Sequence, residues 1–331
     1  MTPPRPPAAP SGTASTIIDG VLAVGSAAVL AASLAGWLGA WHWLLDLVSH
    51  FRGYLLAAAV LGLGGALLRP RRWTLTLLGA AVAVNAWPML PFWLPAPPAT
   101  AAADAVPLEL VSLNVHRVNR DTGRTVDYLR KARPDVAVIL EPDDAWASAL
   151  HGLADVFPHR VVEPRPDNFG IAVLSKWPLA DHDVVDFGVT GYPAVVARVR
   201  FPGREFLLVA AHPHAPISQT HARDNATQLA AIADFAARAA LPCIVAGDFN
   251  ATPWCVVYRR FAAVSGLVDT ARGRGVQPTW NARLVAPRIP IDHVFAPPEA
   301  VVLRRAVGPD VGSDHLPVEV RLILPGPPPS P

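Results

Sequence analysis

Three long apolar runs crowd the first hundred positions, and they restrict the chain more than any other feature. The first spans Gly20 to Leu45, with His42 near its end; the second Gly53 to Leu68; the third Trp73 to Leu94. A helix that crosses a bilayer needs about 20 apolar residues, so the first and third are read as spans. The second is short, and its GLGG segment weakens it. Trp37, Trp41, Trp43, Trp73, Trp87 and Trp93 lie toward segment ends, where an apolar ring with a polar N–H suits the membrane interface. A cleaved signal peptide would carry a shorter apolar region, not followed by two more. The expected division is a Pro/Ala-rich tail over 1–15 and a transmembrane segment of three helices over 16–95. A linker over 96–106, a soluble domain over 107–324 and a tail over 325–331 follow.

The chain is 52% hydrophobic and only 16% charged, against about a quarter charged for soluble proteins. Five arginines and three aspartates precede residue 107, which leaves 23 basic and 23 acidic residues for the rest. A formally neutral domain lacks the basic balance of nucleic-acid binders. Arg69, Arg71 and Arg72 lie between the second and third runs and predict a cytoplasmic loop. Arg5 agrees; Arg52, between the first two runs, counts against this. Three crossings then give a multi-pass protein of the cell membrane with its soluble domain extracytoplasmic. If the second run does not span, the side reverses. The two cysteines, Cys243 and Cys255, allow at most one bridge and are read as unpaired core thiols.

From Leu108 the pattern changes. LELVSLNV alternates with the period of a strand, and VAVIL (136–140), GIAVLS (170–175) and CIVAG (243–247) read as buried strands. AVVARVRF (194–201) and FLLVAAH (206–212) read as a hairpin around Pro202-Gly203. Helices are expected over Thr122–Ala132, ended by Pro134, and over Ser218–Ala240, ended by Pro242. Short strands should follow near Asp292, Val301 and Val318. Many strands with few helices predict an α/β (α+β) domain, a four-layer α/β/β/α sandwich of two packed sheets.

The chemically capable residues fall at strand ends, where side chains are held rigidly at a sheet edge. They are Asn114, Glu141, His212, Asp248 and Asn250 in GDFN, Asp292, and Asp314 and His315 in GSDH. Carboxylates and an Asn amide are hard oxygen ligands suited to Mg²⁺, with Mn²⁺ as the alternative. Histidines beside aspartates make oriented acids, bases or charge stabilisers.

Seven ordered segments, LVSLNVHRVN, VILEPD, GIAVLSKWPL, AAHPHAP, VAGDFNATPW, PIDHVF and GSDHLPV, resemble the signatures of the endonuclease/exonuclease/phosphatase superfamily. The resemblance covers nearly all of 107–323. It implies Glu141 as principal metal ligand, with Asn114 and Asp314 completing the metal and phosphate site. It implies Asp248 as the residue that orients or deprotonates the attacking water, and Asn250 as a donor to phosphate oxygens. His315 would contact the scissile phosphate with Asp292 holding its ring, and His212 would be the acid for the leaving group. Leu140 stands where many relatives have Gln. The residue that orients His212 is not assigned; Asn168 is one candidate. His293 is read as a structural neighbour of Asp292, and Asn85 as a residue that bonds a neighbouring helix.

Three apolar segments followed by such a domain resemble the VanJ-type membrane phosphatases. That resemblance implies a lipid-linked phosphate as substrate, such as undecaprenyl pyrophosphate, with the bilayer as partner. A nuclease acting on DNA or RNA, and a non-catalytic membrane scaffold, stand as the alternatives.

Overall fold

The computed structural model describes residues 13–95 and 105–325, and the chain divides into two compact units, 1–88 and 89–331. Most of both expected tails and of the expected linker lies outside the described residues. In the first unit, α1 (Thr13–Ala35) runs into a 3-10 turn (Gly36–Leu38) and is followed by α2 (Trp43–Ser49), α3 (Arg52–Leu67) and α4 (Arg72–Ala86). The run Gly20–Leu45, expected as one span, is thus two helices. Gly39 permits the break, because a Cβ there would lie 2.8 Å from the Asp46 Cα; only a glycine lets the chain fold back this closely on α2.

Two helical stretches, Thr16–Leu38 and Arg72–Trp93, are long and apolar enough to cross a membrane. The pair α2 and α3, bent by 58°, makes a third if it counts as one span. Outward-facing Val21, Val24 and Leu61 are 66–77% exposed, as a lipid-facing surface requires. Asp19 near the start of α1 pairs with Arg71 and lies 3.9 Å from Arg69, in the turn between α3 and α4. Arg52 is buried, bonds the Val84 carbonyl at 3.2 Å and lies over the Trp37 ring. It is a packing residue rather than a loop charge. Asn85 Nδ2 donates to Ser33 Oγ on α1 at 2.7 Å, as expected of a buried amide among apolar helices.

The second unit opens with α5 (Leu90–Trp93), whose Phe92 is buried in that unit's core. There follow β1 (Leu108–Asn114), α6 (Thr122–Ala132), β2 (Val136–Leu140), α7 (Asp144–His151), β3 (His159–Glu163), β4 (Ile171–Ser175), β5 (Leu179–Val185) and β6 (Ala194–Phe201). Then come β7 (Arg204–Ala211), α8 (Gln219–Ala237), β8 (Cys243–Asp248), α9 (Val256–Ser265), β9 (Val268–Asp269), β10 (Asp292–Ala296), β11 (Val301–Val307) and β12 (Val318–Ile323). One sheet has the order β11-β12-β1-β2-β4-β3, the other β5-β6-β7-β8-β10-β9.

The four layers follow from strand alternation. Leu110, Val138 and Val173 of the first sheet meet Val195, Leu208, Ile244 and Val294 of the second in one core. The opposite faces take the helices: Val111, Leu113 and Ile139 pack with Leu129, Trp146 and Leu150. Val209, Val245 and Phe295 pack with Leu229 and Phe261. Helix ends are marked locally. Asp143 caps α7 by accepting from the Ala145 and Trp146 amides, and Ser218 caps α8. Both cysteines are buried.

Candidate active site

In each sheet one parallel pair sits at the centre, β1 with β2 and β7 with β8, and their C-terminal ends share one edge of the sandwich. Asn114 closes β1, Glu141 follows β2, His212 follows β7 and Asp248 closes β8. Asp292 opens antiparallel β10 directly opposite Asp248, so it reaches the same edge. The segment 313–315 arrives there too: Ser313 Oγ donates to the Asn114 carbonyl at 2.7 Å and accepts from the His315 amide at 3.0 Å.

Asn114 Nδ2 donates to Glu141 Oε1 at 2.9 Å and to Asp248 Oδ2 at 3.2 Å. Its orientation is fixed, because the atom facing the His116 amide at 2.9 Å must be the oxygen. The amide hydrogens therefore face the carboxylates. Asn114 bridges Glu141 and Asp248, and its oxygen accepts one hydrogen bond and keeps a second lone pair. Glu141 Oε2 accepts from the Arg117 amide at 3.1 Å.

The histidines flank Asp248. His212 Nε2 lies 3.5 Å, and His315 Nε2 3.6 Å, from Asp248 Oδ2. His315 Nδ1 bonds Asp292 Oδ2 at 2.9 Å. Burial opposes charge on His315, but Asp292 and Asp248 outweigh it and hold the imidazole up to about 10. Burial likewise opposes the Asp248 carboxylate, yet the two histidines bring it down to about 2. His212 is raised above its ordinary value, since its bond to Asp248 outweighs burial. Opposite charges packed this closely stabilise one another's ionised forms.

Asp248, Asp292 and His315 are buried, with ligand atoms within 4.8 Å of one another, a spacing that can hold a divalent ion. Asp292 Oδ1 and Asp314 Oδ1 are buried with no hydrogen-bond partner among the described residues, whereas each carboxylate oxygen of Glu141 and Asp248 already accepts one hydrogen bond and keeps a second lone pair. Asp314 sits to one side, accepting from Trp280 Nε1 at 3.1 Å and lying 3.4 Å from His116 Nδ1. Asn250 donates its backbone amide to Asp248 Oδ1 and its Nδ2 to the Pro213 carbonyl at 3.0 Å. One amide hydrogen of Asn250 is left over for a ligand.

Asn168 does not hold His212: it accepts from Arg117 Nε at 3.1 Å, and His212 Nδ1 is buried without a hydrogen-bond partner among the described residues. Phe169 packs against the His212 ring instead, centroids 5.7 Å apart. His293 points to the other face of β10, bonded to Asp269 at 2.7 Å and to the Ala251 carbonyl at 2.8 Å. Glu141, His116 and Asn250 all take positive φ, 50–63°, a strain that clusters at functional sites. Gly247, at φ 152°, passes so close to β7 that a Cβ would lie 1.9 Å from the Ala211 oxygen. Sequence reasoning missed Ser313, Trp280 and Arg283, whose Nη2 lies 3.0 Å from His116 Nδ1. GSDH pointed toward Ser313, whereas the aperiodic 270–290 stretch gave no signal for the other two.

A sequence profile of the Endonuclease/Exonuclease/phosphatase family matches residues 111–315. No curated protein sequence matches the chain significantly. Among solved structures, an endonuclease/exonuclease/phosphatase from Beutenbergia cavernae is 25% identical with a TM-score of 0.55, covering 68% of this chain and 73% of that one. D. rerio TDP2 complexed with single strand DNA product is 20% identical at TM-score 0.55, covering 65% and 98%. Sphingomyelinase C from Streptomyces griseocarneus is 18% identical at 0.51, covering 65% and 99%; at these identities the last two share the fold. The chain belongs to the endonuclease/exonuclease/phosphatase family and is a metal-dependent phosphoesterase.

Proposed function

We propose that the protein is a membrane-anchored, Mg²⁺-dependent hydrolase of a lipid pyrophosphate such as undecaprenyl pyrophosphate, with Mn²⁺ able to substitute. The observation that carries this reading is a phosphoester site, with Glu141, Asp248 and His315 at one sheet edge, in a chain that also bears membrane-length helices. The guanidiniums of Arg117, bonded to Asn168, and of Arg283, bonded to His116, add donors for a second phosphate.

Glu141 would hold the ion, with Asn114 and Asp314 completing the metal and phosphate site. Bound there, a divalent cation neutralises charge that builds on the phosphoryl oxygens. Asp248 orients the attacking water and accepts its proton. Asn114 keeps Asp248 and Glu141 in register, and Asn250 donates to a phosphate oxygen. His315, held by Asp292, meets the scissile phosphate as a cation, and His212 supplies a proton to the leaving group. The Asp19–Arg71 pair places the start of α1 beside the turn before α4, which favours α3 as a return crossing. It supports a cytoplasmic N-terminus with the catalytic unit outside.

The test is phosphate release from a polyprenyl pyrophosphate by the full chain in detergent, with Mg²⁺ and with EDTA. Asp248→Ala should abolish release; no metal-dependent release from any polyprenyl pyrophosphate would refute the substrate. The solved complex of D. rerio TDP2 with a DNA product favours nuclease activity as the second reading. Nicking of plasmid DNA by this chain would establish it. A non-catalytic scaffold is disfavoured by the complete set of polar groups at the edge.

A further inference from the structure

Around this polar site the loops carry exposed apolar tips. Val118 follows β1 and is 54% exposed; Ile217 follows β7 and is 73% exposed. The most prominent tip is in the 281–288 loop, where Leu284, Val285, Ala286 and Pro287 are all exposed, Val285 at 97%. That loop is built rather than loose. Trp280 and Ile289 pair at its neck. The Arg288 guanidinium bonds the Leu284 and Ala282 carbonyls at 2.6 and 2.7 Å, and the Ala282 amide bonds the Asp314 carbonyl at 2.7 Å. A braced loop that holds four consecutive apolar residues in water signals a surface that something covers.

Cationic groups sit just inside the apolar tips. The Arg283 guanidinium reaches from the loop to His116, and the Arg117 guanidinium bonds Asn168. Apolar side chains outside and arginines inside, around a phosphoester site, match the layering of a bilayer surface: hydrocarbon deeper, anionic headgroups above. The membrane-length helices of the same chain supply that surface.

We propose that the rim formed by Val118, Ile217 and the Leu284–Pro287 tip seats in the bilayer surface, with Arg283 engaging lipid phosphate oxygens. This rests on the lipid-phosphate reading of the site and adds its route of access: the substrate is taken without leaving the membrane. The full chain in lipid nanodiscs tests it. Val285→Cys carries an environment-sensitive fluorophore, and Glu299→Cys serves as a control on an exposed turn; the native cysteines are buried. Lipids with nitroxide on the acyl chain should quench the Val285→Cys label several-fold more than the control, and aqueous iodide should quench it less. Equal quenching at both positions overturns the proposal. An inactive Asp248→Ala background must show the same difference. Absent hydrolysis with the quenching intact would refute the substrate alone; absent quenching with hydrolysis intact would refute the rim contact alone.

Discussion

His315 and Asp292 form a fixed donor–acceptor pair, Nδ1 to Oδ2 at 2.9 Å, in a site where both side chains are buried. A carboxylate only accepts, so Nδ1 carries the proton and Nε2 is the atom presented toward Asp248. The pair sets both the ring orientation and the charge of His315.

Asp292→Asn keeps the shape and removes the charge. The amide can present either a donor or an acceptor to Nδ1, so the imidazole loses its enforced orientation. The expected result is a fall in kcat of about 10²-fold or more with a smaller change in KM, read from steady-state phosphate release.

Glu141→Gln leaves the Arg117 amide contact in reach but replaces a charged oxygen donor with a neutral amide. Mg²⁺ affinity measured by calorimetry should fall by more than about 100-fold. Activity should recover in part at high Mg²⁺ concentration. Unchanged Mg²⁺ binding would remove Glu141 from the metal site.

Gly247→Ala would drive a methyl group into the Ala211 carbonyl oxygen, 1.9 Å away, at φ 152°. Neither β7 nor β8 can yield, because both are central strands hydrogen-bonded to each other. The expected loss is about 3 kcal/mol or more, seen as a lowered Tm.

A pH effect should arise beneath the site, at the buried group of Asp269, His293 and Tyr258. Burial disfavours the Asp269 carboxylate, but the His293 charge and hydrogen bond and the Arg305 charge depress its pKa below the ordinary value. A depressed carboxylate stabilises the fold above its unfolded pKa of about 3.9. That contribution is lost as pH falls below about 4 toward the folded value. Thermal melts from pH 7 to 3 should show a steep fall below about pH 4. Asp269→Asn should flatten that fall and cost about 3–5 kcal/mol at pH 7.

Strong periodic segments were legible without tertiary context. Thr122–Ala132, Val136–Leu140 and Ala194–Phe201 form the expected elements with the expected bounds. The remaining elements give weaker signals. Strand β5, LADHDVV, is an edge strand with an exposed middle, so it has no apolar alternation to read. Helix α7 owes its start to an Asp143 cap, and β9 is two residues long.

By itself the sequence determined that apolar helices precede a two-sheet domain, because run length and period are local properties that burial must satisfy. It also supplied the chemical types of the site residues, in order. Only the tertiary structure decided how they meet. Parallel pairing of β1 with β2 and of β7 with β8 brings residues more than a hundred positions apart to one edge. The His116 amide fixes which way the Asn114 side chain faces, and Arg117 takes Asn168 away from His212. Arg52 changes from a loop charge to a buried packing residue for the same reason. Hydrogen-bond partners are chosen by proximity in space, and a chain read in one dimension does not contain it.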